Sequence, residues 1–480
     1  MNLASIFLNH ATARPRSIAI IEEPAHLDYE TAARFTAGFA AHLARQGVGP
    51  RDRIGLCLKD SADHLLLHFA TIWLGATIVP IDHRWTLHEK IAVARAFDCR
   101  FVIVEPDAAP IGDIPSLALD PRWRGERGAP PPTDDERLAM MLSLSSGTTG
   151  RPSGALVSHR ELYERWIGQW VGIGFNGGDR YLAATPLYFG AGRSFAMSFL
   201  AAGGTVIFRP PPAQPLDLIE AARRYHASIM FLVPTQIRGL LDAWQGASPA
   251  LPTVRRLVTS GAAIAAAERR RVIERLTPGL VDYYGTSEGG GISVLMPEEQ
   301  LTFAETVGRP AFRTDIEIVD DAMNPVPPGT VGRLRYRGPG VSRALVSADG
   351  VATSGENGWY YPGDLARLLP SGHVQLAGRA KDLIIRGGVN IYPAEIEAVL
   401  GTHAAVGEVC VFGIADARLG EIVAAAVVRR RGTDPTEADI QAHGRERLVS
   451  YKVPDRIIFV AELPRNSSGK VLRAELGKLR

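Results

Sequence analysis

The chain has 480 residues, room for about three compact units of ~150 residues, with 46% apolar and 22% charged side chains, the balance of an ordinary folded protein. Lys+Arg number 53 and Asp+Glu 51, a net charge of +2, which gives no whole-protein electrostatic case for nucleic acid or an anionic membrane. The longest aliphatic run, residues 422–428, is far short of the ~20 residues a membrane-spanning helix needs, and residues 1–5 lack the basic and apolar regions of a secretory signal. Three cysteines (Cys57, Cys99, Cys410) with no C-x-x-C pair argue against disulfides and a cysteine zinc site. The expected location is the cytoplasm, without a transmembrane segment or a nucleic-acid partner.

From residue 50 to 290 short β-rich runs alternate with amphipathic stretches. Strands are predicted at residues 53–58, 77–80, 100–104, 138–142, 205–208, 229–233 and 256–259, and helices at 62–74, 216–225 and 265–276. The alternation predicts an α/β fold of two βαβ-type subdomains with largely parallel sheets. Residues 108–132, rich in Pro and Gly, read as a loop between blocks. Residues 308–376 change texture, dense in Gly and Pro with short alternating strands at 315–319 and 332–336, and predict a small barrel-like antiparallel segment. From residue 394 the order is helix, strand, strand, helix, strand, a small α+β unit. The expected division is a large domain over residues 1–380 and a mobile C-terminal domain over 381–480.

The chemistry concentrates in a few runs. After the 138–142 strand comes Leu144-Ser-Ser-Gly-Thr-Thr-Gly-Arg-Pro-Ser-Gly154, whose glycines let backbone N–H groups turn inward as an anion nest while its hydroxyls add donors for a polyphosphate. It is not a Walker A loop, since G-x-x-x-x-G-K-[ST] is absent. Further along stand Tyr284-Gly-Thr-Ser-Glu288, Gly358-Trp-Tyr-Tyr-Pro-Gly-Asp364, Gly378-Arg-Ala-Lys-Asp382, Gly387-Gly-Val-Asn-Ile-Tyr-Pro-Ala-Glu-Ile-Glu397 and Pro464-Arg-Asn-Ser-Ser-Gly-Lys470. The segment at 285–289 also matches the G-x-S-x-G elbow of α/β-hydrolases, with His373 or His403 as formal downstream partners, though that motif requires neither Tyr284 before it nor Glu288 at its fourth position.

These segments, in this order, resemble the acyl-adenylate-forming superfamily, and within it the acyl-CoA synthetases. The corresponding family patterns are S-S-G-T-T-G-x-P-K-G, Y-G-x-T-E, W-[YF]-x-T-G-D, G-R-x-K-D with G-x-N-I-x-P-x-E-I-E, and P-[KR]-T-x-x-G-K. The resemblance implies an ATP-dependent ligase. A carboxylate attacks the α-phosphorus of ATP to give acyl-AMP and pyrophosphate, and a thiol then displaces AMP. It further implies ATP, Mg²⁺ and coenzyme A as cofactors and a fatty, aryl or alicyclic carboxylic acid as substrate.

Residue by residue, the resemblance implies that Ser146, Gly147, Thr148, Thr149 and Gly150 hold the β- and γ-phosphates. Tyr284 and Gly285 lie against adenine, with Gly261 and Ala262 opposite. Glu288 holds Mg²⁺, and Ser287 meets the α-phosphate and the substrate carboxylate. Asp364 accepts the ribose hydroxyls, and Arg379 binds ribose or phosphate. Lys470 brings a point charge to the α-phosphate from a C-terminal domain that rotates about Lys381 and carries a thioester-step loop at Gly387 and Gly388. Phe189, Phe231, Tyr283, Gly290 and Gly291 line the acyl pocket, the two glycines suggesting a roomy floor. Arg193 reads either as a partner for a second substrate carboxylate or as half of a structural salt bridge. A lysine acetyltransferase acting on Lys470 is an expected regulatory partner.

Ser153 stands where the family pattern has Lys, and Ser287 and Pro362 replace Thr. The alternatives are a stand-alone acyl-AMP ligase loading carrier-protein phosphopantetheine, or, because of Ser153, a non-catalytic nucleotide- or acyl-binding member. Lysines are confined to positions 59, 90, 381, 452, 470 and 478 in this arginine-rich chain, so a retained ammonium hints at a need for one.

Overall fold

A computed structural model describes residues 1–144, 152–209, 213–347, 350–353, 355, 357–387, 389–465 and 471–478. Two large sheets dominate. One has nine strands in the order Arg309–Pro310, Gly290–Leu295, Leu280–Thr286, Arg256–Thr259, Ile229–Leu232, Arg180–Ala183, Thr205–Phe208, Ile18–Glu22 and Ala25–Asp28. Its centre, from Leu280–Thr286 to Ile18–Glu22, is parallel and its edges antiparallel. The other has eight: Gly350–Thr353, Ala344–Ser347, Ser153–Ser158, Ala139–Leu144, Thr77–Pro80, Arg53–Cys57, Phe101–Val104 and Ser116–Ala118.

Both sheets and the helices Leu3–Ala13, Tyr29–Arg45, Ala62–Trp73, His159–Gly172 and Gly190–Ala202 contribute to one continuous core. Ala62–Trp73 shows why a helix is placed there. Ser61 caps it by accepting from the His64 backbone N–H, and its apolar residues run all round, so both faces are buried. Burial pushes the His64 imidazole down to about 3, leaving it neutral.

Two local expectations change. The segment 108–132 is not simply a loop: Ser116–Ala118 pairs with Phe101–Val104, and the 3₁₀ turn Pro121–Gly125 buries Trp123. The Gly/Pro-rich segment does not form a barrel. Asp315–Val319, Gly332–Arg337, Asp364–Leu368 and Val374–Arg379 make an open four-stranded antiparallel sheet, while Ala344–Ser347 and Gly350–Thr353 leave it and extend the eight-stranded sheet. After Arg379 a separate five-stranded sheet forms from Ile384–Arg386, Val389–Ile391, Val406–Asp416, Gly420–Arg429 and Arg456–Val460, flanked by Pro393–Leu400 and Glu437–Arg445. Among the described residues no helix is long and apolar enough to cross a membrane.

The parallel strand Leu280–Thr286 carries a buried ion pair near its start. Arg269 donates to Asp282 at 2.6 Å and to the Gln300 carboxamide oxygen at 2.6 Å. Asp282→Ala would leave that guanidinium buried without its anion and should cost ~3–5 kcal/mol, read as a lower urea midpoint. Adding Arg269→Met should recover much of the loss, since the unpaired charge is then gone.

Candidate active site

The strand Leu280–Thr286 ends in a turn at Ser287–Gly289 and returns as Gly290–Leu295. The Ser287 hydroxyl donates to the carbonyl of Leu144, 3.2 Å away, the last residue before the predicted phosphate loop. The loop residues Ser146, Gly147, Thr148, Thr149 and Gly150 lie outside the described residues. Thr286 Oγ1 accepts from the Gly289 backbone N–H at 3.1 Å and meets the Tyr336 hydroxyl at 2.7 Å, which closes the turn. A Cβ at Gly289 would overlap the Tyr336 ring, so only glycine fits. Burial, and next to it the charge of the nearby Glu288 carboxylate, hold the Tyr360 phenol above its ordinary range.

Sequence reasoning missed the residue beneath this turn. Arg165, on the helix His159–Gly172, donates to the carbonyls of Gly340 (2.8 Å), Ser287 (3.3 Å) and Glu288 (2.5 Å). The signal was present: Glu161, Arg165 and Gln169 recur at i, i+4, i+8 beside Leu162 and Trp166, placing an arginine on the buried face of the helix.

Tyr284, Asp364 and Arg379 come together. The Tyr284 hydroxyl donates to one Asp364 oxygen, and Arg379 Nε pairs with the other at 2.7 Å, from the position directly across the strand pair. Asp364 is buried. Gly261, at φ +94° with nothing near its Cβ direction, and the exposed Ala262 follow the strand Arg256–Thr259, whose parallel neighbour carries Tyr284. This is the crevice at the carboxyl ends of parallel strands where open α/β sheets bind ligands. In Gly285 a Cβ would strike the carbonyl of Gly290.

Among the residues expected at the acyl pocket, Phe231 stacks on Phe195 at 5.0 Å between centroids, and Phe195 meets Tyr283 at 6.0 Å. Phe189 precedes the helix Gly190–Ala202 and packs on Tyr188 at 4.2 Å. Gly290 and Gly291 do not leave an open floor. The missing side chain of Gly291 makes room for the Tyr283 ring, and that of Gly290, at φ +71°, for the Arg165 stem. Arg193 fits neither expectation. It is fully buried and donates to the carbonyls of Leu187 (2.9 Å), Tyr188 (3.1 Å) and Leu142 (3.3 Å), tying the 186–189 segment to the strand Ala139–Leu144. The same segment is held by Asp60, which accepts from the Leu187 N–H at 2.9 Å, and by Arg84, which donates to the Tyr188 hydroxyl at 2.9 Å.

Lys381 is exposed in the short turn Ala380–Asp382 between the four- and five-stranded sheets. Gly387 turns the hairpin of Ile384–Arg386 and Val389–Ile391 at φ +57°. Gly388 and Lys470 lie outside the described residues. The residues flanking 466–470 are tied together: Arg465 bridges to Val471, and Leu472 N–H donates to the Pro464 carbonyl at 2.8 Å. Arg473, another residue missed, pairs with Asp382 at 2.9 Å and with Glu397, and donates to the Val411 carbonyl at 2.8 Å. The residue after Lys381 is thereby fastened to the C-terminal sheet.

The hydrolase reading has no support in this geometry. His373 stacks on Phe303 and contacts Glu299, and His403 packs on His443. Among the described residues no three His, Cys, Asp or Glu side chains are arranged to hold a metal. A single carboxylate, Glu288, beside the strand leading to the phosphate loop instead fits a Mg²⁺ ion arriving with a polyphosphate, since Mg²⁺ keeps waters and takes one or two carboxylates plus substrate oxygens.

The sequence profile of the AMP-binding enzyme family matches residues 7–345, and that of the AMP-binding enzyme C-terminal domain matches residues 395–470. The chain is 31% identical over 451 residues to a 2-succinylbenzoate–CoA ligase of Geobacillus kaustophilus, covering 92% of this chain and 91% of that one. It is 30% identical over 507 aligned positions to an indoleacetate–CoA ligase of Aromatoleum aromaticum, covering 100% and 98%. Its fold superimposes on the O-succinylbenzoate coenzyme A synthetase of Bacillus subtilis, solved with ATP and magnesium ion, with a TM-score of 0.89 at 25% identity and 98% coverage of both chains.

Burial raises the Asp60 carboxyl to about 6. The native state then holds more protons on this group than the unfolded chain between roughly pH 4 and 6, so this contribution to stability falls as pH rises through that window and stays low above it. Asp60→Asn keeps an acceptor for Leu187 N–H without the charge. It should therefore raise the melting temperature more at pH 7.5 than at pH 4.5, by up to ~2 kcal/mol in stability.

Proposed function

The chain belongs to the AMP-binding enzyme family, and we propose that it is an AMP-forming acid–CoA ligase, joining a carboxylic acid to coenzyme A through an acyl-AMP intermediate. One observation carries the reading best. The turn bearing Ser287 and Glu288 is hydrogen-bonded to the strand that feeds the phosphate loop, and the same strand end presents Tyr284 to Asp364 and Arg379. Acid–CoA ligase names on relatives aligned over nine-tenths or more of their length supply the thiol acceptor.

The roles follow from chemistry. Both reactants of the first step are anionic, so the site needs fixed positive ends where charge builds on the α-phosphate. Mg²⁺, held with ATP by Glu288, would supply neutralising charge there. Ser287, tethered to Leu144, presents a hydroxyl at the junction of carboxylate and α-phosphate. Asp364 is assigned to the ribose hydroxyls; each of its oxygens has one partner in the free protein and keeps a further lone pair for ribose, and the Tyr284 ring is assigned to adenine opposite Gly261 and Ala262. Arg379 keeps Asp364 oriented. Gly285 admits the close turn of backbone behind the base. Residues 146–150 are assigned to the β- and γ-phosphates.

The acid is assigned to the side of the site built by Phe189, Phe231, Tyr283, Gly290 and Gly291. Their aromatic, tightly filled walls favour a flat ring-bearing acid over a bulky or highly polar one. Lys381 is assigned as the pivot between residues 1–380 and 381–480, with Gly387 and Gly388 approaching the thiol in the second step and Lys470 serving the first. A cytoplasmic location and acetylation of Lys470 by a lysine acetyltransferase are consistent with this scheme. Screening ring-bearing and linear acids for CoA-dependent AMP formation tests the proposal. AMP formed with no acid–CoA product, or none with any acid, would overturn it.

Lys470→Ala is expected to slow acyl-AMP formation, read as pyrophosphate exchange, by ~10²-fold or more, the scale of losing one preorganised charge contact. Thioester formation from pre-made acyl-AMP should change far less, and wild-type pyrophosphate exchange in the variant would refute this role.

Ser153 opens the strand Ser153–Ser158 directly across from Ser347. Restoring the family's cation, Ser153→Lys, should lower the KM for ATP by several-fold to tenfold, since an exposed charge–phosphate contact contributes roughly 1–2 kcal/mol. As the contact exists before and during reaction, kcat should move less than KM. Arg151→Ala should then harm kcat/KM for ATP more in the native background than in Ser153→Lys.

A further inference from the structure

We infer that Arg165 is a positioning residue for the adenylation step, fixing the main chain of the Ser287–Glu288 turn and through it the Glu288 carboxylate. The inference rests on the assignment of Glu288 to Mg²⁺ made above. Three backbone carbonyls converge on one guanidinium: Gly340, Ser287 and Glu288. Among the described residues no carboxylate pairs with it, although Glu161 and Glu288 are close enough to act on its charge. A cation removed from water without an anion is costly, and here donor-to-carbonyl bonds offset that cost.

The surroundings are shaped for this side chain. A Cβ on Gly290 would come within 2.9 Å of its Cδ and Cγ, and one on Gly340 within 3.0 Å of its Cγ. The Glu288 carbonyl is also held from the other side by the Ser342 N–H at 2.8 Å. Residues 287 and 288 are thus clamped at their main chain, leaving the hydroxyl of one and the carboxylate of the other to point elsewhere. Arg165 sits one helical segment after the strand Ser153–Ser158 that follows the phosphate loop, while Leu144, bonded to Ser287, ends the strand before it. The turn is therefore referenced to both sides of the loop. A fork suits this arrangement, because its fixed donors hold two successive carbonyls and a third from another segment at once, where an ammonium is a point charge on a flexible stem.

The test uses the full-length enzyme with Arg165→Met, which keeps the stem that packs on the two glycines, and Arg165→Lys, which keeps the charge but not the fork. For Arg165→Met we expect pyrophosphate exchange to fall 10- to 100-fold and the Mg²⁺ concentration for half-maximal rate to rise at least threefold. Thioester formation from pre-made acyl-AMP should stay within threefold of wild type, and Arg165→Lys should fall between. A purely structural role would lower both half-reactions alike and leave the Mg²⁺ requirement unchanged, which would overturn the inference. If Arg165→Met does not fold, Arg165→Lys decides by the same Mg²⁺ titration, a wild-type requirement counting against. Glu288→Gln separates the two levels. If Arg165→Met no longer alters exchange once Glu288 is Gln, the arginine acts through that carboxylate; an undiminished effect overturns the inference alone. Wild-type exchange in Glu288→Gln by itself would overturn the Mg²⁺ assignment beneath it.

Discussion

A guanidinium placed away from bulk water must find acceptors, and where no carboxylate pairs with it backbone carbonyls can serve. Arg165 meets that demand with carbonyls from two segments, and its neighbours in the site follow from the choice. Its stem fills the space that side chains at 290 and 340 would take, so both positions are glycine. Its head draws together a turn of the nine-stranded sheet and the 338–342 connection between the four-stranded sheet and the eight-stranded one, while its own helix continues from a strand of the eight-stranded sheet. Arg193 repeats the solution nearby, its three carbonyl acceptors joining the 186–189 segment to the strand Ala139–Leu144. Burial lowers its pKa to about 10, still well above neutrality, so the clamp stays charged.

Local pattern disclosed much of the architecture. The βαβ alternation, the strands Thr77–Pro80, Thr205–Phe208, Arg256–Thr259 and Asp315–Val319, and the order of elements in the C-terminal unit were legible because each carries its own apolar period. Partner choice was not. Ala344–Ser347 and Gly350–Thr353 read as part of a barrel-like segment, yet Ala344–Ser347 pairs with Ser153–Ser158, a strand nearly 200 residues away, carries Gly350–Thr353 on its other edge, and leaves an open sheet behind. Strand composition reports a pleated, half-buried surface and is silent on which edge it will join. The site shows the same limit. Motif order singled out Ser287, Glu288, Tyr284, Asp364 and Arg379, of which the last three are in contact, but the glycines at 290 and 291, read as space for substrate, adjoin Arg165 and Tyr283. A missing side chain states that something else is close, not what it is.

Under the proposed assignment of Asp364 to ribose, its present contacts keep the carboxylate ordered before a ligand arrives. A buried, unpaired Asp would shift toward its neutral form or lose order. Here the Tyr284 hydroxyl and Arg379 occupy one oxygen each. The tyrosine is a neutral donor on a rotatable hydroxyl, and the arginine is a charge-assisted contact across a strand pair. Under the proposed assignment, ribose hydroxyls would take the lone pairs these two donors leave free, so neither contact need break.

The use of cations across the chain divides along the same line. Arginine forks do the fixed work: Arg165 and Arg193 on carbonyls, Arg269 on Asp282 and Gln300, Arg473 on Asp382, Glu397 and the Val411 carbonyl. Each is planar, holds several acceptors at once, and would lose most of them together on any rotation of the side chain. The lysines with described partners make simpler contacts, as Lys452 does with the carboxylate of Glu395 at 2.7 Å and Lys90 with the His83 carbonyl at 2.6 Å. A point charge on a flexible stem loses one contact when it moves and can make an equivalent one elsewhere. Two lysines, 381 and 470, fall in the segments assigned to rotation, while Arg473 fastens Asp382 to the C-terminal sheet. With the residue after Lys381 held on one side, and Ala380 N–H bonded to the Gly363 carbonyl at 2.9 Å on the other, the backbone between these two anchors is where the proposed rotation of the C-terminal unit would be taken up.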